Sequence, residues 1–233
     1  MHFTASKSKQ FQLLSTFNEL VNNSFYDKTN AFCWYREPNG NFKEIVDKLK
    51  LKENITEIST DDLLALDLTE EGNIARTVII NDMKLLADFG ALPSLNLLKN
   101  YERDNEFDFI STDVYSYHVD RSPVATDTYL CTYYGAASDI IANEDVKQKI
   151  LIPEIRAKLY ELFDEDYDDN FEDFLTENFF DLHYQADANA KPINLGNGCI
   201  WRLAVDHPFQ PVEPCVHRAP IENDNEYRLL LIC

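Results

Sequence analysis

The chain has 233 residues, of which 45% are hydrophobic and 12% aromatic, a composition that excludes disorder and low-complexity architectures and predicts one globular domain. Acidic residues outnumber basic ones 41 to 21, and the formal charge of −20 excludes nucleic acid and anionic membranes as expected partners. The five cysteines show no paired spacing, and no basic segment precedes an apolar run near residue 1, so we expect free thiols and a cytoplasmic protein.

The first hundred residues carry a helical pattern. Apolar residues recur at three- and four-residue spacing between residues 7 and 23, which predicts a helix with one buried face. Thr60 and Thr69 each precede two acidic residues, as helix N-caps do, and the helix after Thr69 is predicted to end at Gly90. Ser94 is predicted to cap a further short helix.

Residues typical of strands dominate from position 107 onward. The strand candidates are 107–111, 114–118, 126–134, 199–205, 212–217 and 226–232. A stretch at 161–181 interrupts them with ten acidic residues and no basic one. Its aromatic residues recur at helical spacing, which favours an amphipathic helix with a solvated acidic face. A surface for a basic partner or a metal cluster is the alternative, although the spacing does not match a calcium-binding loop.

These patterns predict a single α+β domain, 1–233, in three parts. Residues 1–105 are expected to be mainly helical support, and residues 106–142 and 191–233 to form a β core. Residues 143–190 are expected to form an acidic helical insertion.

The first candidate for chemistry is the pair His118 and Asp120, at the end of a predicted strand. Residues two apart on an extended chain point to the same side, so that imidazole and carboxylate can reach one metal ion. The alternative is an ordinary hydrogen-bonded pair at a strand end.

A second candidate lies near the C-terminal end, where the segments 212–217 and 226–232 flank turn-forming residues at 223–225. A hairpin here sets residue 217 opposite 230 and residue 219 opposite 228, so that His217 and Arg228 share a face. Imidazole suits a divalent ion and guanidinium suits a carboxylate. Two His and one Asp are also the donor set of a 2-His-1-carboxylate iron(II) site. The alternatives are a core histidine at 217 and an ordinary ion pair of Arg228 with one of the many acids.

These residues resemble the iron(II)/2-oxoglutarate-dependent dioxygenase superfamily, in particular its prolyl-hydroxylase type. The resemblance lies in His118-Val119-Asp120, in the strand that ends at Tyr133-Tyr134, and in His217 followed by Arg228. The segments 216–220 and 227–231 also resemble an uncharacterised bacterial group, the DUF1826 family. The resemblance covers roughly 106–142 and 195–233.

The resemblance implies a double-stranded β-helix (jelly roll) core with N-terminal helices and a helical insertion. It implies that His118, Asp120 and His217 hold Fe(II), and that Arg228 and Tyr134 hold the far carboxylate of 2-oxoglutarate. Thr132 shares strand parity with Tyr134 and is expected to line the same interior. The implied reaction is oxidative decarboxylation of 2-oxoglutarate coupled to hydroxylation of an unknown substrate, either a small molecule or a protein side chain.

Two other functions are compatible with the same residues. A cupin-like metalloenzyme uses the three metal ligands without 2-oxoglutarate and has no need of Arg228. A non-catalytic protein keeps the barrel, binds a small ligand or none, and recruits a basic partner through the acidic face of the insertion.

Overall fold

A computed structural model of the chain describes residues 9–163 and 170–233. This part of the chain is a mixed α+β structure with thirteen β-strands and six α-helices. The strands are β1 Phe11–Leu14, β2 Ala31–Trp34, β3 Ile55–Glu57, β4 Ser94–Leu98, β5 Tyr117–His118, β6 Asp127–Tyr134, β7 Asp139–Ile140, β8 Val146–Gln148, β9 His183–Ala186, β10 Ile193–Asn194, β11 Ile200–Ala204, β12 His217–Arg218 and β13 Arg228–Ile232. The helices are α1 Phe17–Asn22, α2 Phe42–Lys48, α3 Thr60–Leu64, α4 Glu70–Phe89, α5 Pro153–Leu162 and α6 Phe171–Glu177.

The strands form two sheets. Seven of them pair in the order β1-β2-β11-β6-β13-β4-β3, and all of these pairs except β1–β2 are antiparallel. The other six pair in the order β10-β7-β12-β5-β9-β8, all antiparallel. One apolar cluster joins the two sheets, since Leu130, Trp201 and Leu230 of the large sheet pack with Ile140 of the smaller one and with Cys215, two residues before β12. We call this region the intersheet core.

The opposite face of the large sheet is covered by helices α1 to α4. Leu20, Ile45, Leu63 and Ile79 pack there against strand residues such as Leu229. The longest helix, α4, forms where the sequence predicts it. The Thr69 side chain accepts a hydrogen bond from the Gly72 amide, and the helix ends at Gly90, whose φ of 102° is left-handed. No helix of the described ranges is long and apolar enough to cross a membrane.

The prediction of mainly helical support over 1–105 is wrong for four segments, because β1 to β4 lie there. Within 9–23, residues Phe11–Leu14 form β1, and only Phe17–Asn22 are helical, starting at a capping box between Thr16 and Glu19. Ser94 begins a strand instead of capping a helix. Both strands are short, and pairing with β2 and β13 outweighs their weak local pattern.

Three predicted strands, 126–134, 199–205 and 226–232, are confirmed as β6, β11 and β13. The predicted strand 107–111 is wrong: Phe107, Phe109 and Ile110 instead pack with side chains of the insertion helices. Of 114–118 and 212–217, only the last residues are in strands. The predicted C-terminal hairpin is also wrong, because β12 belongs to the small sheet and β13 to the large one.

The insertion, 143–190, contributes both helices and strands. β8 and β9 extend the small sheet beyond β5, while α5 and α6 form a separate apolar cluster around Leu159 and Leu175. The helix predicted over 161–181 is confirmed in part, since α6 covers Phe171–Glu177. Its residues Phe171 and Phe174 pack on that cluster. Residues 164–169 lie outside the described part of the chain.

Candidate metal centre

Three side chains that are far apart in the chain converge at one edge of the intersheet core. His118 ends β5 and His217 begins β12, and the two residues are direct cross-strand partners. Their ring centroids are 4.5 Å apart. Asp120 follows His118 by two residues and reaches the same point. One donor atom from each of the three residues lies within 4.8 Å of the others.

The spacing of these donors fits a divalent cation. Nε2 of His118 lies 4.0 Å from Oδ1 of Asp120, and Nε2 of His217 lies 3.7 Å from Oδ2. Both distances are too long for hydrogen bonds, so the three groups do not satisfy one another. Two donors bound at right angles to one ion at about 2.1 Å lie about 3 Å apart, so a small inward shift accommodates the ion.

Each donor is oriented by a second contact. Nδ1 of His118 lies 2.8 Å from the Ser116 carbonyl oxygen, and Nδ1 of His217 lies 3.1 Å from the Cys215 carbonyl oxygen. A proton on each Nδ1 makes these hydrogen bonds and leaves the Nε2 lone pair directed at the site. The Thr128 hydroxyl donates to Oδ2 of Asp120. This is the outer arrangement that metal-binding His and carboxylate groups need.

The electrostatics favour the metal-binding protonation states. Burial lowers the pKa of His118 to about 4, and charge repulsion from His217 adds to the effect, so that His118 is neutral at pH 7. Burial raises the pKa of Asp120, but the charges of His217 and His118 and the Thr128 hydrogen bond outweigh it and lower the pKa overall. Asp120 is therefore ionised.

Arg228 is a buried cation in the same intersheet core, 4% exposed. Its Nη2 donates to the Thr132 hydroxyl at 3.1 Å and to the Ser138 hydroxyl at 2.9 Å. Among the described residues its Nε has no hydrogen-bond partner and no carboxylate forms an ion pair with it. The nearby Glu222 carboxylate accepts a hydrogen bond from Tyr115 instead. A buried arginine without an acid is costly unless an anion binds it.

Strand β6 connects the two groups. Thr128, Leu130 and Thr132 alternate along one face of this strand, since residues two apart point to the same side. Thr128 contacts the candidate metal ligand Asp120, and Thr132, about 13 Å further along the strand, contacts Arg228. Strand β6 therefore carries one contact to each group, and no hairpin relates His217 to Arg228.

Tyr134 is not brought into this group. A bulge in the β6–β13 register pairs Leu229 with Tyr134 but Leu230 with Thr132, which breaks the strand parity on which the sequence prediction depended. Tyr134 packs on the helix-covered side of the sheet, while Thr132 faces the intersheet core. Burial and a hydrogen bond to Glu226 raise the pKa of Tyr134 there.

Sequence reasoning missed Thr128, Ser138 and His183. His183 is the cross-strand partner of His118 on its other side, in β9. No local motif marks it, because β9 lies inside the insertion, 65 residues after His118. Of the remaining histidines, His207 accepts a hydrogen bond from the Phe209 amide, and residue 2 is outside the described ranges.

No family model, curated protein or solved structure matches the chain. The resemblance to the dioxygenases therefore stays a prediction, and the function is inferred from the site.

Proposed function

We propose that this protein is an Fe(II)- and 2-oxoglutarate-dependent oxygenase built on a jelly roll. The observation that carries the proposal is the combination of a two-His, one-Asp donor set with a buried arginine that has no carboxylate partner among the described residues. Both groups contact strand β6, the first through Thr128 and the second through Thr132. A metal ion would bind to the three donors, and a carboxylate of a bound acid would pair with Arg228.

The strand order supports the fold. Eight strands, β4 to β7 and β10 to β13, change sheet at each step along the chain except between β7 and β10, which both lie in the small sheet. Strands β4, β6, β11 and β13 pair in the large sheet, and strands β5, β7, β10 and β12 pair in the small sheet. Two facing antiparallel sheets of four strands are the arrangement of a jelly roll. The remaining strands extend both sheets at their edges.

The donor set supports the choice of metal. His118, Asp120 and His217 offer two imidazoles and one carboxylate, the set that non-haem iron(II) oxygenases use with further positions open. When bound, the iron supplies the dioxygen chemistry that amino-acid side chains lack. The protein's own part is to fix the three donors through Ser116, Cys215 and Thr128.

Arg228 supports the choice of a keto acid. Because Arg228 is buried, its guanidinium makes stronger charge-assisted hydrogen bonds than it could in water. The Thr132 and Ser138 hydroxyls hold one end of the group and leave Nε for a guest carboxylate. A dicarboxylate such as 2-oxoglutarate has one acid group for Arg228 and a keto acid for the ion.

Anaerobic titration tests the proposal. Fe(II) followed by 2-oxoglutarate should give the wild-type protein a weak visible charge-transfer band. His217→Ala should abolish it. Arg228→Met should keep Fe(II) affinity but weaken 2-oxoglutarate binding by about 30-fold or more, the usual cost of removing one partner of a buried charge pair.

The matched control is Arg218→Met, since Arg218 is adjacent to His217 but pairs with Asp139. It should leave both affinities unchanged. A wild-type protein that binds no 2-oxoglutarate overturns the proposal. Undiminished turnover without 2-oxoglutarate in Arg228→Met indicates a cupin-like metalloenzyme instead.

A further inference from the structure

A third imidazole lies beside the two metal-binding histidines. The pairing register sets His217 opposite His118 and His118 opposite His183, so the three residues form a row across β12, β5 and β9. Directly paired residues of adjacent strands project to the same face. The rings of His118 and His183 are 5.8 Å apart and inclined at 35°. His183 therefore faces the same side of the sheet as the candidate metal ligands.

His183 is buried and incompletely hydrogen-bonded. It is 4% exposed, and within residues 9–163 and 170–233 its Nδ1 has no hydrogen-bond partner. Burial, with repulsion from His118 and Lys149, lowers its pKa to about 3, so it is a neutral group with one donor and one acceptor. Buried polar atoms rarely lack a hydrogen-bond partner, so we expect Nδ1 of His183 to bind a group other than the described residues.

Two ion pairs of Arg121 position the segment that carries His183. Arg121, the residue after Asp120, donates to Asp181 at 2.5 Å and to Asp206 at 2.8 Å. The first contact ties the segment just before β9 to the end of the His118–Asp120 segment. The insertion is thus fastened to the metal site, and its contribution to that site is one imidazole.

We propose that His183 is a guest-binding residue of the metal site, whose Nδ1 hydrogen-bonds an oxygen of the small molecule that shares the ion with His118, Asp120 and His217. This rests on the proposed function. The guest is an oxygen ligand, either water or the keto acid. The residue acts on the guest and not as a fourth protein ligand, because its nitrogens lie outside the converging donor set.

Co(II), a spectroscopic substitute for Fe(II), allows a test in two arms: Co(II) alone, and Co(II) with 2-oxoglutarate. The variant His183→Phe keeps a ring and removes both nitrogens, whereas His183→Asn retains a polar group near the position of Nδ1. His207→Phe is the matched control outside the row. The visible Co(II) spectrum and the dissociation constants of Co(II) and 2-oxoglutarate are measured for each protein.

We expect His183→Phe to bind Co(II) within about threefold of wild type. If the guest is water, its spectrum changes with Co(II) alone; if the guest is the keto acid, 2-oxoglutarate binds about tenfold more weakly. His183→Asn should recover much of either effect, and His207→Phe should show neither. Recovery by Asn separates a hydrogen-bonding role from a packing role.

Equal behaviour of His183→Phe and wild type in both arms overturns the inference and leaves the proposed function intact. A wild-type protein that binds no Co(II) overturns both. If His183→Phe does not fold, the ring nitrogens of His183 in the wild-type protein are followed by ¹⁵N NMR while Zn(II) and then 2-oxoglutarate are added. A shift of Nδ1 on adding Zn(II) or 2-oxoglutarate supports the inference, and no shift in either step overturns it.

Discussion

Two threonines on one face of β6 allow the candidate metal centre and the proposed acid-binding Arg228 to be perturbed separately. Thr128→Val removes the hydroxyl that donates to Asp120 and keeps the side-chain shape. Without that hydrogen bond the carboxylate is free to turn from the ion. Loss of an outer contact of this kind typically weakens metal binding 10- to 100-fold, or about 1.4–2.8 kcal/mol.

The matched variant is Thr132→Val, four residues along the same strand. Its hydroxyl contacts Arg228 and not a metal ligand. We expect metal affinity to stay within about twofold of wild type, while 2-oxoglutarate binds about tenfold more weakly because one partner of the guanidinium is lost.

Isothermal titration of both variants with Co(II), then with 2-oxoglutarate, measures the two effects. The variants make the same chemical change in the same strand, so a general loss of sheet stability would affect both titrations alike. Equal effects of the two variants on metal affinity, or an unchanged metal affinity in Thr128→Val, would refute the reasoning.

Three further predictions concern the metal-free protein. Burial lowers the pKa of His118 to about 4 and that of His183 to about 3, so that below pH 6.5 the unfolded chain takes up protons before the folded chain does. As the pH falls, the free energy of unfolding should therefore decrease by up to about 1.4 kcal/mol per pH unit for each histidine. Identical denaturation curves at pH 7 and pH 5 would contradict this. Asp82→Ala should cost about 3 kcal/mol in urea unfolding, since Arg36 would lose its bidentate buried partner, and a loss below about 1 kcal/mol would show that the pair is dispensable. Gly90→Ala should cost about 1 kcal/mol from its positive φ alone, because an added Cβ meets no atom within 4 Å; an unchanged midpoint would mean that the helix end relaxes.

The sequence indicates the candidate metal ligands better than it indicates the strand pairing that brings them together. Two residues of an extended chain that are two apart must share a face, so His118 and Asp120 could be placed together from local geometry. His217 could be nominated by resemblance, but its pairing with His118 spans about a hundred residues and no local pattern encodes that register. The hairpin predicted to place His217 does not form, because β12 and β13 lie in different sheets.

The features that the sequence does not predict also depend on strand pairing. Tyr134 and Thr132 have equal parity in the sequence, and a single bulge in β6 against β13 separates them. Strands β1 and β4 are four and five residues long, too short for periodicity to distinguish them from helix, and pairing with neighbouring strands decides them. His183 enters the site only through the pairing of an inserted strand with β5.

The most direct test of the central claim is the stoichiometry of metal binding. Anaerobic titration with Fe(II) should give one equivalent per chain for the wild-type protein and for His207→Ala, whose imidazole lies outside the cluster. Asp120→Ala and His217→Ala should each bind no ion at the same concentrations. Undiminished binding of one equivalent by Asp120→Ala and His217→Ala would show that these residues do not hold the metal.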